Sequence, residues 1–344
     1  MGQRGATSPV MITALSLALL AGCGGDGTNP FQEETDGQTG GGADPDAGGG
    51  DGTGGEAAPD GGVSPDSVPD NVGNNVQSVN YDEASGTFRV TVNSLDTTPR
   101  TATYDRTPQL DVPGYTAFSV QEDPLDRFFI GLAATSSDDT SSGAVVLDGG
   151  QFNKVFGGAY FERNGPYSPH VPEQPANGLV SYAGDYAGLS NLTVADGNPD
   201  NLLAAVPAGT DPELHPAQPS RVTGQVFLNA DFSDGSVNGA IFDRVLEESA
   251  TSLPSVVLVP EPGNLDGQAG TFTGTVETPE QDPIGDYAGV FGGEGATSMS
   301  GGISIEGYLD NVENELEYGV FVLTKCGEPG DAALCDTVNP DALP

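Results

Sequence analysis

The sequence predicts an all-β protein: a small antiparallel barrel of about eight strands, preceded by a β-rich subdomain and a disordered Gly/Asp-rich tether. Three observations predict it. Apolar residues alternate with period two between turn signals, as in Thr87-Phe88-Arg89-Val90-Thr91-Val92. No run of ten or more residues carries a sustained helical stripe with caps. A small polar residue, a glycine, a spacer and a β-branched residue recur together at Thr223–Val226, Asn238–Ile241, Thr273–Val276 and Ser300–Ile303. The chain has 344 residues, with 51 Gly, 27 Pro, three Cys, two His and no Trp. Ten Lys and Arg against 50 Asp and Glu give 10 − 50 = −40. That charge opposes nucleic-acid binding and docking on anionic lipid headgroups.

Residues 1–22 read as an export signal. Arg4 supplies a positive start, and an apolar run extends from Val10 to Ala21. Crossing a bilayer takes roughly 20 apolar residues, so the run is too short for a stable span. It ends in Leu20-Ala21-Gly22-Cys23. This resembles the lipobox of bacterial lipoproteins, which implies cleavage before Cys23 and acylation of its thiol and new amino group. An ordinary secretory signal that happens to contain Cys is the alternative. Gly24 and Gly25 follow the cysteine, and by analogy with Gram-negative lipoproteins this points to the outer membrane. The lipid bilayer, reached through acylated Cys23, is thus one expected partner.

Residues 23–75 form the expected tether. Positions 24–75 hold 16 Gly, 11 Asp or Glu, no Lys or Arg and a single aromatic residue, Phe31. Such a segment cannot bury a core. A β-rich subdomain is expected over 76–150, with strands at 128–134 and 143–147 joined by the polar stretch 136–142. The barrel is expected over 151–325. In Val222–Phe232 the even positions are Val, Gly, Val, Leu, Ala and Phe, and the odd ones are mostly polar. Asp234-Gly235 then supplies a tight turn, and Val237, Gly239 and Ile241 run back. A second pair runs out over 284–291, turns at Glu294-Gly295 and returns through Gly301, Ile303 and Ile305. Glycine inside a strand loses packing and chain entropy, so its repetition needs a reason. A small closed barrel gives one, because a Cβ at such positions would crowd the interior. A twisted β-sandwich using the same glycines is the alternative.

Residues 326–344 form the tail. With Cys23 acylated, Cys326 and Cys335 remain, nine apart. Export into an oxidising compartment makes a disulfide the expected pairing. Zinc is the alternative, and neither His170 nor His215 lies nearby in sequence to help.

The stretch from Val222 to Ile305 resembles the barrel domain of transferrin-binding protein B-like surface lipoproteins. Asp231-Phe232 matches an aspartate–phenylalanine pair before a turn, and Gly270-x-Phe272-x-Gly274 matches a Gly-aromatic strand. Gly289-Val290-Phe291-Gly292-Gly293 is close to the family's glycine–aromatic turn, with Gly292 where a second aromatic is common. Gly301-Gly302 matches the returning strand, whereas Met299-Ser300 replaces an acidic-Val pair. The resemblance covers about residues 179–307 and implies a single-lobe member, with 76–150 corresponding to a handle subdomain. It implies a surface lipoprotein that binds a macromolecule or ligand, with iron or haem acquisition as the sharper version and an outer-membrane receptor among its partners.

The residues themselves favour binding over catalysis. There is no G-x-S-x-G elbow, no phosphate loop before a helix and no HExxH, and no cofactor or metal is expected. The many Asp residues carry no spacing signal and read as solubilising surface. The longest candidate loops are 163–177, with four Pro, and 191–220, with five. Proline lowers the cost of ordering a loop on a partner. Tyr167, His170, Leu202, Leu203 and His215 are therefore the candidate contact residues, against the alternative that these loops only cap the barrel. A His in a Pro-rich loop could ligate haem iron or act as a base, but a solvated side chain is the plainer reading. The other function class is a structural or cell-contact envelope lipoprotein with no diffusible ligand.

Overall fold

A computed structural model describes residues 68–93, 98–171, 178–309 and 312–337. The export signal, Cys23 and nearly all of the expected tether lie outside these residues. The regular secondary structure of the described residues is β-strand apart from one helical turn, α1 (Asp70–Gly73), and short 3-10 turns such as Glu247–Ser249.

The first unit, for which the label handle is kept, is a seven-stranded antiparallel meander. Its strands are β1 (Val76–Asp82), β2 (Thr87–Val92), β3 (Arg100–Arg106), β4 (Thr116–Val120), β5 (Phe129–Thr135), β6 (Ser141–Asp148) and β7 (Gly157–Arg163), paired in chain order. The period-two pattern of β2 is realised directly: Phe88, Val90 and Val92 are buried and Thr87 and Arg89 are exposed. Those side chains join an inner aromatic core in which Phe88 stacks on Phe118 at 4.8 Å and meets Tyr104 edge-on at 5.4 Å. The sheet nearly closes. Between β1 and β7 the N–H of Asn75 donates to Gly157 O at 3.0 Å.

The second unit is a closed barrel of eight antiparallel strands. In spatial order they are β10 (Pro219–Asp231), β9 (Leu179–Thr193), β17 (Leu316–Lys325), β16 (Ser298–Glu306), β15 (Pro283–Glu294), β14 (Thr271–Glu277), β13 (Val256–Asp266) and β11 (Ser236–Leu246). The β10–β11 pairing closes the ring. Two short strands are appended, β8 (Tyr167–Ser168) beside β15 and β12 (Thr251–Ser252) beside β11. Val222, Val226, Leu228 and Ala230 of β10 point into the lumen, which side chains fill. The opposite face of β10 is drier than its pattern predicts, since Phe227 and Asn229 are also buried.

Two of the four repeat glycines, Gly274 and Gly301, sit opposite rings, whereas a Cβ at Gly224 would meet Arg244 and backbone and one at Gly239 would meet Leu228 and backbone. Gly274 pairs across the sheet with Tyr287, and Gly301 with Phe321. A Cβ at Gly274 would lie 2.4 Å from the Tyr287 ring, and one at Gly301 would lie 2.5 Å from the Phe321 ring. A strand glycine costs about 0.5–1 kcal/mol relative to alanine. Burying a large apolar side chain stabilises by about 1.5–3 kcal/mol, so clearing space for the ring prevails. Crowding by an inward ring is thus the physical reason for these glycines.

The two units share a second core. Strands β5 and β6 are buried on both faces. Phe129 and Ala133 face the handle interior, while Ile130, Leu132, Val145 and Leu147 pack on Ala187, Leu189, Tyr318 and Val320 of the barrel wall. The Tyr115 hydroxyl donates to Asp185 O at 3.1 Å and accepts from the Val322 N–H at 3.0 Å. At the far end of β5 and β6, hydroxyls join the units. Ser137 and Thr324 lie at 2.9 Å, Thr140 and Ser298 at 2.7 Å, and Thr297 donates to Asp138 at 2.5 Å.

Two expected boundaries move. Strand β7 pairs with β6, so the first sheet runs to Arg163 and not to 150. Its glycines and buried Tyr160 and Phe161 suit either unit, and only the pairing decides. The tether was expected to reach 75, yet Val68–Asn75 is ordered. Val72 is fully buried against Ala159, Phe161, Ala288 and Val290, so one valine docks α1 where the two units meet. The tail contains the Cys326–Cys335 disulfide, with Cα atoms 5.4 Å apart.

Candidate functional site

Strand pairing sorts the expected contact residues onto opposite ends of the barrel. Thr193 pairs with Pro219 at one end of the β9–β10 hairpin, and Leu179 pairs with Asp231 at the other. Leu202, Leu203 and His215 belong to the first end, in the connection 194–218. Tyr167 and His170 belong to the second. The two histidines therefore do not converge on one site.

At the second end, Tyr167 serves the fold. Its hydroxyl donates to Gly267 O at 3.1 Å, and the Arg163 guanidinium lies 4.3 Å from its ring centroid. Arg163 donates Nε to Phe291 O at 2.5 Å and Nη2 to Ala269 O at 2.6 Å, fixing the β13–β14 turn. Burial pushes the Tyr167 hydroxyl up to about 12, so it remains a donor. His170 is half-buried, with its ring 6.1 Å from Phe232. Residues 172–177 of this candidate loop lie outside the described residues.

At the first end the connection 194–218 is held at many points. Gln218 donates to Asp200 O at 2.7 Å and accepts from the Leu202 N–H at 2.7 Å. Arg221 pairs with Asp200 at 2.6 Å and with Glu248 at 2.8 Å. The handle contributes as well. Gln121 accepts from the Ala204 N–H at 2.9 Å, and Gln151 donates to Leu214 O at 2.7 Å. Leu202 and Leu203 are half-buried against the core shared by the two units. His215 stays exposed and lines a hollow of about 420 Å³ with Leu203, Val206 and Pro216. Beside it, Phe152 is 59% exposed at a tight turn where Phe152 and Asn153 have φ of 54° and 55°. A phenylalanine in the left-handed region is strained. Arg127, paired with buried Asp148, holds the turn by donating to Gln151 O and Lys154 O, each at 2.8 Å.

Sequence reasoning missed a cleft at this same end. It lies where α1 meets the rims of β15, β16 and β17, and its volume is about 970 Å³. Asp70, Asp286, Glu306 and Glu315 line it, with Asn71, Asn74 and Ser304. Asp70 was counted in the tether, and the other three sit on separate strands and a turn. No spacing signal joins them, and only the barrel's register brings them together.

The lumen holds a sealed polar cluster. Arg244 and Glu317 are fully buried and pair at 2.8 Å. Tyr186 donates to Glu317 Oε1 at 2.6 Å, Tyr308 donates to Oε2 at 2.7 Å, and Arg244 Nη1 donates to Pro254 O at 2.6 Å. Burial, and then the charge of Glu317, push the Tyr186 hydroxyl well above its ordinary range, so it stays a donor. With this cluster and the rings around it, the barrel interior is core. Among the described residues no cluster of three or more His, Cys, Asp or Glu could hold a metal ion, and no helix is long and apolar enough to cross a membrane.

No family model and no curated protein matches the chain. Among solved structures it is similar to an intact two-lobed transferrin-binding protein B, at 12% identity and a TM-score of 0.33, over 73% of this chain and 55% of that one. A double mutant of the same protein from Haemophilus parasuis gives 12% identity and a TM-score of 0.33, over 71% and 43%. The Neisseria meningitidis protein gives 14% identity and a TM-score of 0.30, over 73% and 52%. The chain thus spans about half the length of these proteins. At this level the similarity assigns neither family nor activity.

Proposed function

We propose that the chain is an outer-membrane lipoprotein, acylated at Cys23, whose β body binds a macromolecular partner at the barrel end that carries residues 194–218. The observation that supports this is the way that connection is held. A long loop with four prolines is cross-braced to both units by Gln121, Gln151, Gln218 and Arg221, yet keeps Leu214 and His215 exposed. Preordering lowers the conformational entropy lost on binding, and loops on a rigid β scaffold are where recognition residues collect. The filled lumen directs recognition to the outer surface. In the iron or haem version of this reading the two histidines act separately, because they sit at opposite barrel ends.

The test is capture of a saturable partner from growth medium by the full chain, compared with a Leu214→Ala/His215→Ala variant. Retained fold with at least tenfold weaker capture supports the reading. Equal capture by both chains counts against this loop. Loss of membrane association in Cys23→Ala, with protease access on intact cells, tests the anchor and its orientation separately.

A further inference from the structure

The turn between β4 and β5 is the hub of the handle's hold on the connection 194–218. Gln121 donates to Asp126 O at 2.9 Å, and its Oε1 accepts from the Ala204 N–H at 2.9 Å. Gln151 donates to Leu125 O at 2.9 Å and to Leu214 O at 2.7 Å. Each glutamine amide therefore spans from a carbonyl of Leu125 or Asp126 to the connection. Moving those two carbonyls would release both amides together, because the bonds of such a network support one another.

The side chain at this hub is a carboxyl. Asp126 is only 6% exposed. Its Oδ2 is buried with no hydrogen-bond partner among the described residues. The neighbouring guanidinium, Arg127, is turned away to Asp148 and to the carbonyls of Gln151 and Lys154. Glu122 and Asp123, in the same turn, repel a negative charge at Asp126. The segments packed on the turn add Lys154, near Gln151, and Asp211, Glu213 and His215, near Leu214. A buried carboxylate oxygen without a donor disfavours the charged form, whereas the neutral acid is tolerated in the same place. Burial first, then Asp123 and Glu122, raise the carboxyl to about 6. Opening the turn to water returns the group to an ordinary value near 3.9. The closed turn is thus fully favoured below about pH 4 and loses that advantage as pH rises through about 6.

We propose that Asp126 makes the bracing of the connection 194–218 pH-dependent: with its carboxyl protonated both glutamine braces hold, and with it ionised the turn opens and the connection loosens. The connection is the surface assigned above to a partner, and the biological use of the switch rests on that reading. The switch itself is a property of the free chain. A partner that needs the preordered connection is then held more tightly in an acidified medium than in a neutral one.

Hydrogen exchange of the full chain at about pH 4.5 and about pH 7.5, taken as protection relative to the intrinsic rate at each pH, follows the switch without any partner. The Ala204 N–H reports the Gln121 brace. The Phe232 N–H, which donates to Gly178 O at the opposite barrel end, is the internal control. Protection at Ala204 should fall by at least about tenfold from the lower to the higher pH in the unaltered chain. In Asp126→Asn, which is isosteric and neutral at both pH values, it should change by less than about twofold, and unchanged protection at Phe232 verifies the fold. His215→Gln should keep the full shift, histidine being the other side chain able to change charge in this range. A constant Ala204 in the unaltered chain, a shift that survives in Asp126→Asn, or a shift lost in His215→Gln would overturn the proposal. So would an equal fall at Phe232, because the whole body would then be loosening under its net charge. An intact Ala204 shift alongside equal partner capture by the Leu214→Ala/His215→Ala variant would support the switch while counting against the contact surface.

Discussion

The barrel closes on itself through the β10–β11 pairing, while the handle sheet stops one full pairing short, between β1 and β7. The difference extends to what each encloses. The barrel buries an ion pair whose carboxylate receives Arg244, Tyr186 and Tyr308. The handle interior is packed with rings, its fully buried carboxylate, Asp148, pairs at the end of β6 with a partly exposed Arg127, and among the described residues the hydroxyl of Tyr104 has no partner. A closed sheet fixes its lumen from all sides, so directional contacts can be satisfied in place. An open sheet is served better by undirected packing, and the handle borrows the barrel wall to cover its second face.

Replacing one member of the barrel's pair gives the hardest test of that contrast. Arg244→Met should lose about 3–5 kcal/mol in urea unfolding, because Glu317 would stay buried without its cation. A loss under about 1 kcal/mol would mean that the pair is not what orders the lumen. Gly319→Ala is next. A Cβ there would lie 1.9 Å from the Tyr186 hydroxyl, so overpacking should cost about 1–3 kcal/mol by the same measurement.

The two tyrosines compare the units directly. Tyr186→Phe removes a donor to Glu317 and should cost about 1–3 kcal/mol. Tyr104→Phe removes an unpaired hydroxyl and should be neutral or stabilising. Equal losses in the two variants would erase the distinction between the cores.

The smallest expected effect is a pH dependence in the handle. Burial, then Asp123 and Glu122, raise the Asp126 carboxyl to about 6. Its unfolded value is near 3.9, so the folded state holds the proton more tightly. Its contribution to stability is complete below about pH 4 and fades as pH rises through about 6. Asp126→Asn should therefore stabilise at pH 7, and that gain should vanish by pH 4 in paired melting curves. Asp138 titrates the other way. Burial opposes its charge, but hydrogen bonds from Ser136, Thr297 and Thr140 prevail and hold its carboxyl below the ordinary range.

Local signals carried much of the fold. The alternation of β2, the Asp234-Gly235 hairpin and the Glu294-Gly295 turn all appear with the strands expected around them. The strand glycines pointed to a crowded interior, and at Gly274 and Gly301 the rings of Tyr287 and Phe321 do the crowding. What could not be read depends on partners distant in sequence. The assignment of β7 to the handle rests on its pairing with β6, since its composition suits either unit. Leu202 and Leu203 were candidate contact residues because their loop is rich in proline, and the structure places both half-buried against the shared core. Glu317 and Asp148 were indistinguishable from solubilising acids until Arg244 and Arg127 met them across the fold. The acidic cleft is the extreme case, because its four carboxylates come from four separate segments.

The pairing of glycines with rings also bears on how such a chain can change over generations. Neither member of the Gly274–Tyr287 pair, nor of Gly301–Phe321, can be replaced alone without a clash or a hole. The permitted routes are compensated ones, in which a ring shrinks before its glycine gains a side chain, or both exchange strands. Such positions drift as couples. Two descendants of one barrel could then differ at many sites while keeping the same sum of volumes across each rung.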